Sequence, residues 1–192
     1  MNNASDEQLI ASYLRGDNSA FNFLVERYLR MIYNFTAKYI GNAKEAEDLA
    51  QEIFLKAWRS LKKFDPQRSF KTWLFSIARN VCIDYLRRKK MMVFSALEDD
   101  DSENFSDKII DESLPVVEKI TKQELEKEMN KYLAQLSEVN RSVLILRYNQ
   151  QLTFQEISEA LGEPLDTVKS RHRRALRYLR CFIEQDKKMH QK

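Results

Sequence analysis

Glycine, proline and cysteine are all scarce in this sequence. Its 192 residues include three glycines and three prolines, too few for the frequent turns of a β-rich fold, so helices are favoured. The two cysteines lie far apart, with no Cys-x-x-Cys and no histidine pair, which argues against a disulfide or a zinc site. No apolar run approaches about 18 residues, and Met1–Glu7 has no signal-peptide pattern. A cytoplasmic protein is therefore expected.

The charges of the chain fall into blocks rather than being evenly spread. The formal net charge is only +3, with 43% hydrophobic and 32% charged residues, as in ordinary globular proteins. Residues 56–90 carry eleven basic side chains against two acidic ones, and residues 166–180 carry six against one. Between them, residues 98–128 carry twelve acidic side chains against four lysines. Basic blocks attract phosphate, although either block alone is better explained as a solvated helix face.

The first ninety or so residues predict a bundle of four helices, because apolar residues recur at helical spacing between start and stop signals. The predicted starts are a capping box at Ser5–Gln8, then Asn18, Asn42 and Ser69. The predicted ends are Gly16, Gly41 and the loop Phe64–Arg68. Trp58 is predicted to pack in the core of this bundle.

The periodicity fails near Met91, which divides the chain. We predict an N-terminal domain over residues 1–91, an acidic linker over 92–115, a C-terminal helical domain over 116–186 and a short tail over 187–192. The linker contains too few apolar residues to offset the entropy of ordering it. The predicted fold class is all-α, with two small domains joined by an acidic flexible linker.

The C-terminal domain contains a helix-turn-helix signature. Thr153–Glu156 forms a second capping box, Gly162 ends that short helix, and Asp166 or Thr167 is expected to cap the next one. The second helix places its apolar residues on one face and its basic residues on the other, as a helix that enters the major groove of duplex DNA does. Its predicted base-edge residues are Thr167, Lys169, Ser170 and Arg171, and its predicted backbone clamps are Arg173, Arg174 and Arg177. His172 falls on the apolar face and is expected to be half-buried and hydrogen-bonded.

The segment Phe64–Trp73 places aromatic residues between cations, on a loop that runs into a helix. Exposed aromatics beside arginine and lysine can stack on unpaired bases. Here the sequence resembles a known family. Residues 48–54, Trp58, residues 70–80, Ile83-Asp84 and residues 86–88 are similar to the second conserved region of extracytoplasmic-function (ECF) sigma factors, and residues 154–175 to the fourth.

The resemblance implies a specificity subunit of RNA polymerase with three sets of contacts. Core polymerase would be bound by Asp48, Leu49, Gln51, Glu52 and Phe54. The minus-ten element, including the melted non-template strand, would be bound by Phe64, Arg68, Phe70, Lys71, Trp73, Asn80, Asp84, Arg87 and Arg88. The duplex minus-thirty-five element would be bound by the second helix of the helix-turn-helix, and the linker would thread toward the active centre. The implied partners are core RNA polymerase, promoter DNA and an anti-sigma factor that is often membrane-bound.

Two other classes of protein compete with this interpretation. A dimeric helix-turn-helix repressor or activator would explain the C-terminal domain but would leave Asp48–Glu52, the aromatic loop and the acidic linker without a role. An enzyme acting on nucleic acid would need a carboxylate cluster for a metal or a nucleophile beside a base. The acidic cluster Glu98–Asp101 lies in the linker, and His172 and His190 lack partner patterns. We therefore expect no catalytic residue, metal, cofactor or small-molecule substrate.

Overall fold

The computed structural model of the protein describes residues 4–97 and 122–189. Within these ranges it contains only helices, which confirms the predicted all-α fold. The first range holds α1 (Asp6–Leu14), α2 (Ser19–Ile40), α3 (Ala43–Ser60) and α4 (Phe70–Leu97). The second holds α5 (Lys122–Ala134), α6 (Glu138–Leu144), α7 (Phe154–Leu161) and α8 (Leu165–Met189), with a π-helical turn at Ile145–Asn149.

Most of the predicted helix ends are present because their capping residues act locally. The side chains of Ser5 and Thr153 each accept a hydrogen bond from the backbone three residues later, and both capping boxes are complete. Asn42 caps α3 by accepting from the amides of Lys44 and Glu45. Gly41 and Gly162 end α2 and α7 in the left-handed conformation, with φ of 74° and 65°, which glycine adopts without strain.

Three helix boundaries differ from the prediction. Asn18 makes no side-chain cap, and Asp17 instead accepts from the amide and the hydroxyl of Ser19. Helix α4 continues past Met91 to Leu97, because no glycine or proline ends it. Helix α8 begins at Leu165, so neither Asp166 nor Thr167 is its cap; Asp166 lies in the first turn, where a negative charge is favourable. The remainder of the predicted linker, the helical spacing from Val116 and the end of the predicted tail lie outside the described residues.

The apolar stripes of the helices meet in a continuous core. In the N-terminal domain, α2 contributes Leu24, Ile32 and Phe35, and these residues meet Ile53 of α3 and Phe75 of α4, all fully buried. In the C-terminal domain the core is built from Val143, Ile145, Leu146, Leu152, Ile157, Val168 and Ala175. Cys82 is part of the first core, where burial raises the pKa of its thiol to about 12, whereas Cys181 is exposed. In the described part of the chain, no helix is long and apolar enough to cross a membrane.

The two domains are in direct contact. Helix α4 lies against α7, and the C-terminal half of α2 lies against the π-helical turn and α5. The hydroxyl of Tyr39, on α2, lies 3.0 Å from the carbonyl oxygen of Glu138 and 2.9 Å from Oγ of Ser142, both on α6. Lys71, in the first turn of α4, donates to the carbonyl oxygen of Gln150 over 2.8 Å.

Candidate protein and nucleic-acid interfaces

The exposed side of α3 combines acidic, amide and apolar side chains. Asp48 and Gln51 are exposed, whereas Glu52 is half-buried and accepts from Lys56 over 2.9 Å. Leu49 and Phe54 were predicted to be contact residues on this face, but they are 5% and 7% exposed and belong to the core. Helical spacing explains the difference, because both residues are on the buried stripe of α3.

An apolar groove lies between α2 and α3 beside Gln51, and it was not predicted from the sequence. Three of its lining residues, Leu29, Leu55 and Trp58, are 48%, 53% and 47% exposed. The prediction that Trp58 packs in the core is therefore wrong. A usable signal was present, since Leu55 and Trp58 lie three residues apart and off the buried stripe of α3. Exposed apolar clusters of this kind mark surfaces that bind another protein.

The loop that precedes α4 is held by aromatic packing. Phe64 and Phe70 are 7% and 2% exposed, and their ring centroids lie 5.9 Å apart. Trp73 is half-buried against both rings, at 5.0 Å and 5.6 Å. Phe64 and Phe70 are thus not the exposed stacking residues that the sequence predicted. They fix the loop that presents the exposed side chain of Arg68.

Some of the polar residues predicted on α4 are exposed, and others make hydrogen bonds or ion pairs within the protein. Asn80, Arg87 and Arg88 are exposed, and Asp84 accepts from Arg87 over 2.6 Å. Lys71 is half-buried by its contact with Gln150. At its far end, α4 is tied to α3, because Glu45 accepts from Tyr85 and from Lys89. The hydrogen bond from Tyr85, followed by the charge of Lys89, lowers the pKa of the Glu45 carboxyl.

In the C-terminal domain, α7, the Gly162 turn and α8 form the predicted helix-turn-helix. The exposed basic residues of its polar face include Lys169, Arg173, Arg174 and Arg177. Thr167 and Ser170 are half-buried, and the Ser170 hydroxyl donates to the carbonyl of Thr167 over 2.8 Å. Lys169 lies 3.8 Å from the exposed carboxylate of Asp166, a surface pair that is weak in water. The exposed arginines therefore form one basic face along α8.

Arg171 is placed differently from the prediction. Its Nη1 lies 2.5 Å from Oε1 of Glu163, in the turn, and the two side chains are only 25% and 19% exposed. Among the described residues, the other carboxylate oxygen of Glu163 has no hydrogen-bond partner and is buried. Arg171 thus joins the turn to α8, and it offers less of its guanidinium to a base edge than its neighbours do.

We expect Arg171→Ala to lower the stability of the C-terminal domain by about 1–3 kcal/mol, because it leaves a partly buried carboxylate without its cation. Glu163→Gln should recover part of this loss in the double variant. Thermal unfolding followed by circular dichroism measures both effects. A variant with unchanged unfolding, whose binding is weakened at the intact minus-thirty-five element but not at one with altered bases, would instead make Arg171 a base reader.

His172 agrees with its predicted environment. It is half-buried, its Nε2 lies 3.1 Å from the hydroxyl of Tyr148, and its ring meets that of Phe154 edge to face at 5.0 Å. Burial, followed by the charge of Arg147, lowers the pKa of His172. The neutral imidazole is therefore favoured in the folded domain. These contacts give His172 a packing role at the base of the helix-turn-helix.

The comparisons with known proteins agree with this architecture. Residues 24–91 match the family model for Sigma-70 region 2, and residues 132–180 match that for Sigma-70, region 4. The ECF RNA polymerase sigma factor SigW of Bacillus subtilis (strain 168) is 36% identical over 169 residues, which cover 86% of this chain and 90% of SigW. The ECF RNA polymerase sigma-E factor of Escherichia coli (strain K12) is 32% identical over 176 residues, covering 89% and 90%.

Two solved structures share the fold. CnrH, in complex with the cytosolic domain of CnrY, has a TM-score of 0.71 and 23% identity, covering 95% of this chain and 99% of CnrH. The sigma factor RpoE, in complex with the anti-sigma factor NepR from Bartonella quintana, has a TM-score of 0.66 and 24% identity, covering 85% and 96%.

A helical domain of the Sigma-70 region 2 type followed by a helix-turn-helix domain of the region 4 type defines a promoter-recognition factor of RNA polymerase. The chain belongs to the ECF family of RNA polymerase sigma factors. Proteins of this family are transcription initiation factors and not enzymes. The chain therefore acts with core RNA polymerase in promoter recognition and the initiation of transcription.

Proposed function

We propose that this chain has three binding surfaces: one for core polymerase, one for the minus-ten element and one for the minus-thirty-five element. The observation that carries the proposal is the basic face of α8, where Lys169, Arg173, Arg174 and Arg177 are all exposed beside the helix-turn-helix turn. A basic helix face of this form places phosphate-binding and base-reading groups in the major groove.

The polymerase surface is the groove of Leu29, Leu55 and Trp58 together with Asp48 and Gln51. An apolar centre bordered by charged and amide groups has the composition of a protein interface, since the apolar residues supply affinity and the border supplies orientation. Leu49 and Phe54 support this surface from the core. Glu52 is held at the border of this surface by its ion pairs with Lys56 and Arg88.

The minus-ten surface is formed by the loop before α4 and by the exposed polar side of α4. Arg68, Asn80, Arg87 and Arg88 are the exposed groups, and Trp73 is the half-buried aromatic nearest to the loop surface. Cations beside a partly exposed indole suit single-stranded DNA, because phosphate is bound by charge and an unpaired base by stacking. Phe64 and Phe70 hold the loop in shape.

We also propose a protein partner that covers these surfaces. RpoE is described in complex with the anti-sigma factor NepR, and CnrH with the cytosolic domain of CnrY. By analogy, an anti-sigma factor binds this chain and controls its access to polymerase. The chain then works in the cytoplasm, and is held at the inner membrane where its anti-sigma factor is membrane-bound.

The experiment is run-off transcription with core polymerase on a promoter recovered from genomic fragments, with substitutions placed in one element at a time. The double variant Arg173→Ala, Arg174→Ala should reduce transcription about tenfold or more by weakening the upstream contact. This loss should become smaller on a template whose minus-thirty-five element is already altered. Arg68→Ala should show the same dependence on the minus-ten element.

The matched control for the upstream variant is Arg180→Ala, an exposed arginine two turns further from the start of α8. It should leave transcription within about twofold of the wild type. An equal reduction of transcription by the double variant and by Arg180→Ala on every template would show only an effect of non-specific charge. The assignment of the upstream surface would then be wrong.

A further inference from the structure

The ion pair between Arg171 and Glu163 sets one arginine of α8 apart from its basic neighbours. Arg171 is half-buried, whereas the exposed basic residues of the same helix include Lys169, Arg173, Arg174 and Arg177. Arg171 and Arg174 are three residues apart and so lie on one side of α8. The Arg171 guanidinium nevertheless meets Glu163, in the turn before α8, with 2.5 Å between Nη1 and Oε1. Its charge is therefore directed at the protein.

The backbone of the turn fixes the position of the Glu163 carboxylate. The amide of Glu163 donates to the carbonyl oxygen of Ser158 over 3.0 Å, and the Ser158 hydroxyl donates to the carbonyl oxygen of Glu163. Gly162 precedes it in the left-handed conformation, and Pro164 follows it with a φ angle restricted by its ring. Because Glu163 is anchored to α7 in this way, the long side chain of Arg171 is the mobile partner of the pair.

The burial of the pair favours its persistence when phosphate is near. Oε2 of Glu163 is buried and has no hydrogen-bond partner among the described residues, so the carboxylate depends on Arg171 to offset the loss of water. The pair of Lys169 with Asp166 differs, since the Asp166 side chain is 97% exposed and the two charges lie 3.8 Å apart. Water can replace Lys169 there at little cost. Phosphate can thus recruit Lys169 more easily than Arg171.

We propose that Glu163 is a positioning residue that holds Arg171 away from DNA and thereby limits the affinity of α8 for the minus-thirty-five element. This inference rests on the proposed function, in which the basic face of α8 binds that element. A phosphate contact adds affinity on any sequence, so an arginine withheld from phosphate keeps the upstream contact weak. Removing the charge of Glu163 therefore adds a contact with DNA. If the pair only stabilised the turn, its removal would weaken binding.

The test measures how tightly core polymerase carrying the full-length chain binds a fluorescent duplex at several salt concentrations. The duplex contains only the upstream element of the promoter recovered by run-off transcription. Glu163→Gln keeps the shape of the side chain and removes its charge, and it should raise the affinity about three- to tenfold. The plot of log affinity against log salt should become steeper by about 0.9, the value for one further phosphate contact. A loss of stability alone would not steepen this plot.

Two further variants separate release of Arg171 from a simple change of charge. The double variant Glu163→Gln, Arg171→Gln keeps the net charge of the pair at zero, and it should bind within about twofold of the wild type with the same salt dependence. The matched control is Glu159→Gln, which removes the charge of an exposed glutamate on α7 that accepts from Gln155. It should also bind within about twofold of the wild type, because it releases no arginine.

Unchanged or weaker binding by Glu163→Gln, or an equal gain in the single and double variants, would overturn the proposal. A loss of affinity in the double variant would overturn it too, because Arg171 would then already contact DNA in the wild type. This last comparison still decides if circular dichroism shows that Glu163→Gln alone is unfolded.

Failure of the proposed function gives a different result. In that case the Arg173→Ala, Arg174→Ala variant would bind the upstream duplex as the wild type does. If that variant loses affinity while Glu163→Gln gains none, α8 remains the upstream surface and only the role of Glu163 is wrong.

Discussion

Asp48→Arg should abolish co-purification of the protein with core RNA polymerase while leaving its helical content and unfolding temperature unchanged. Asp48 is exposed on the side of α3 that faces α4, where it lines a cavity with Glu52 and Arg88, so the substitution disturbs no core contact. Like charges brought together in an interface cost several kcal/mol, and about 3 kcal/mol already weakens binding more than a hundredfold. Affinity capture of tagged core polymerase measures the effect.

Two further variants make this experiment specific. Lys44→Glu reverses an exposed charge one turn earlier in α3 and should bind polymerase as the wild type does. Trp58→Ala should weaken binding without a comparable loss of stability, since nearly half of this side chain is exposed. Wild-type recovery of polymerase by Asp48→Arg would exclude the exposed side of α3 as the docking surface.

Arg141→Ala should lower the free energy of unfolding by about 3–5 kcal/mol. The substitution removes hydrogen bonds to four backbone carbonyls, three near the end of α5 and one at the end of α2. Without these hydrogen bonds, nothing offsets the free-energy cost of removing the carbonyls from water. The corresponding decrease in unfolding temperature is about 6–20 °C.

Chemical denaturation monitored by circular dichroism checks this prediction. Arg141→Lys retains a cation but cannot reach several carbonyls at once, so its loss should be smaller than that of Arg141→Ala. Arg174→Ala, on the exposed face of α8, should change stability by less than about 0.5 kcal/mol. If Arg141→Ala were as stable as Arg174→Ala, the buried hydrogen-bond network would not contribute as described.

The helices themselves could be predicted from the sequence because their signals are local. The capping boxes at Ser5 and Thr153, the cap at Asn42 and the glycines at 41 and 162 act within three or four residues, and all are present in the structure. The error at Asn18 has the same local origin, since Asp17 is an equally good acceptor one residue earlier.

The exposure of the aromatic residues was predicted less well than the helices, although the buried stripe of α3 already leaves Trp58 outside it. Trp58 was predicted to be buried and is exposed, whereas Phe64 and Phe70 were predicted to be exposed and are buried. Trp58 lies in the open groove between α2 and α3, which leaves 47% of it exposed, and this follows only from the tertiary arrangement.

Contacts between residues distant in sequence were not predictable at all. Tyr39 and Ser142 are 103 positions apart, and Lys71 and Gln150 are 79 apart, so no local pattern relates them. The pair of Arg171 with Glu163 spans only eight positions, but it depends on the turn geometry between α7 and α8. The contacts between the domains and the environment of Arg171 are therefore findings of the structure.

Run-off transcription with purified core polymerase is the most direct test of the central claim that this chain confers promoter specificity by binding two elements. On genomic fragments, we expect discrete transcripts only when the chain is added to core polymerase, and their loss when either promoter element is altered. The chain alone should bind the same duplex weakly. Tight binding of the chain alone to duplex DNA, with no new transcripts on addition to core polymerase, would contradict the account and indicate a conventional helix-turn-helix regulator.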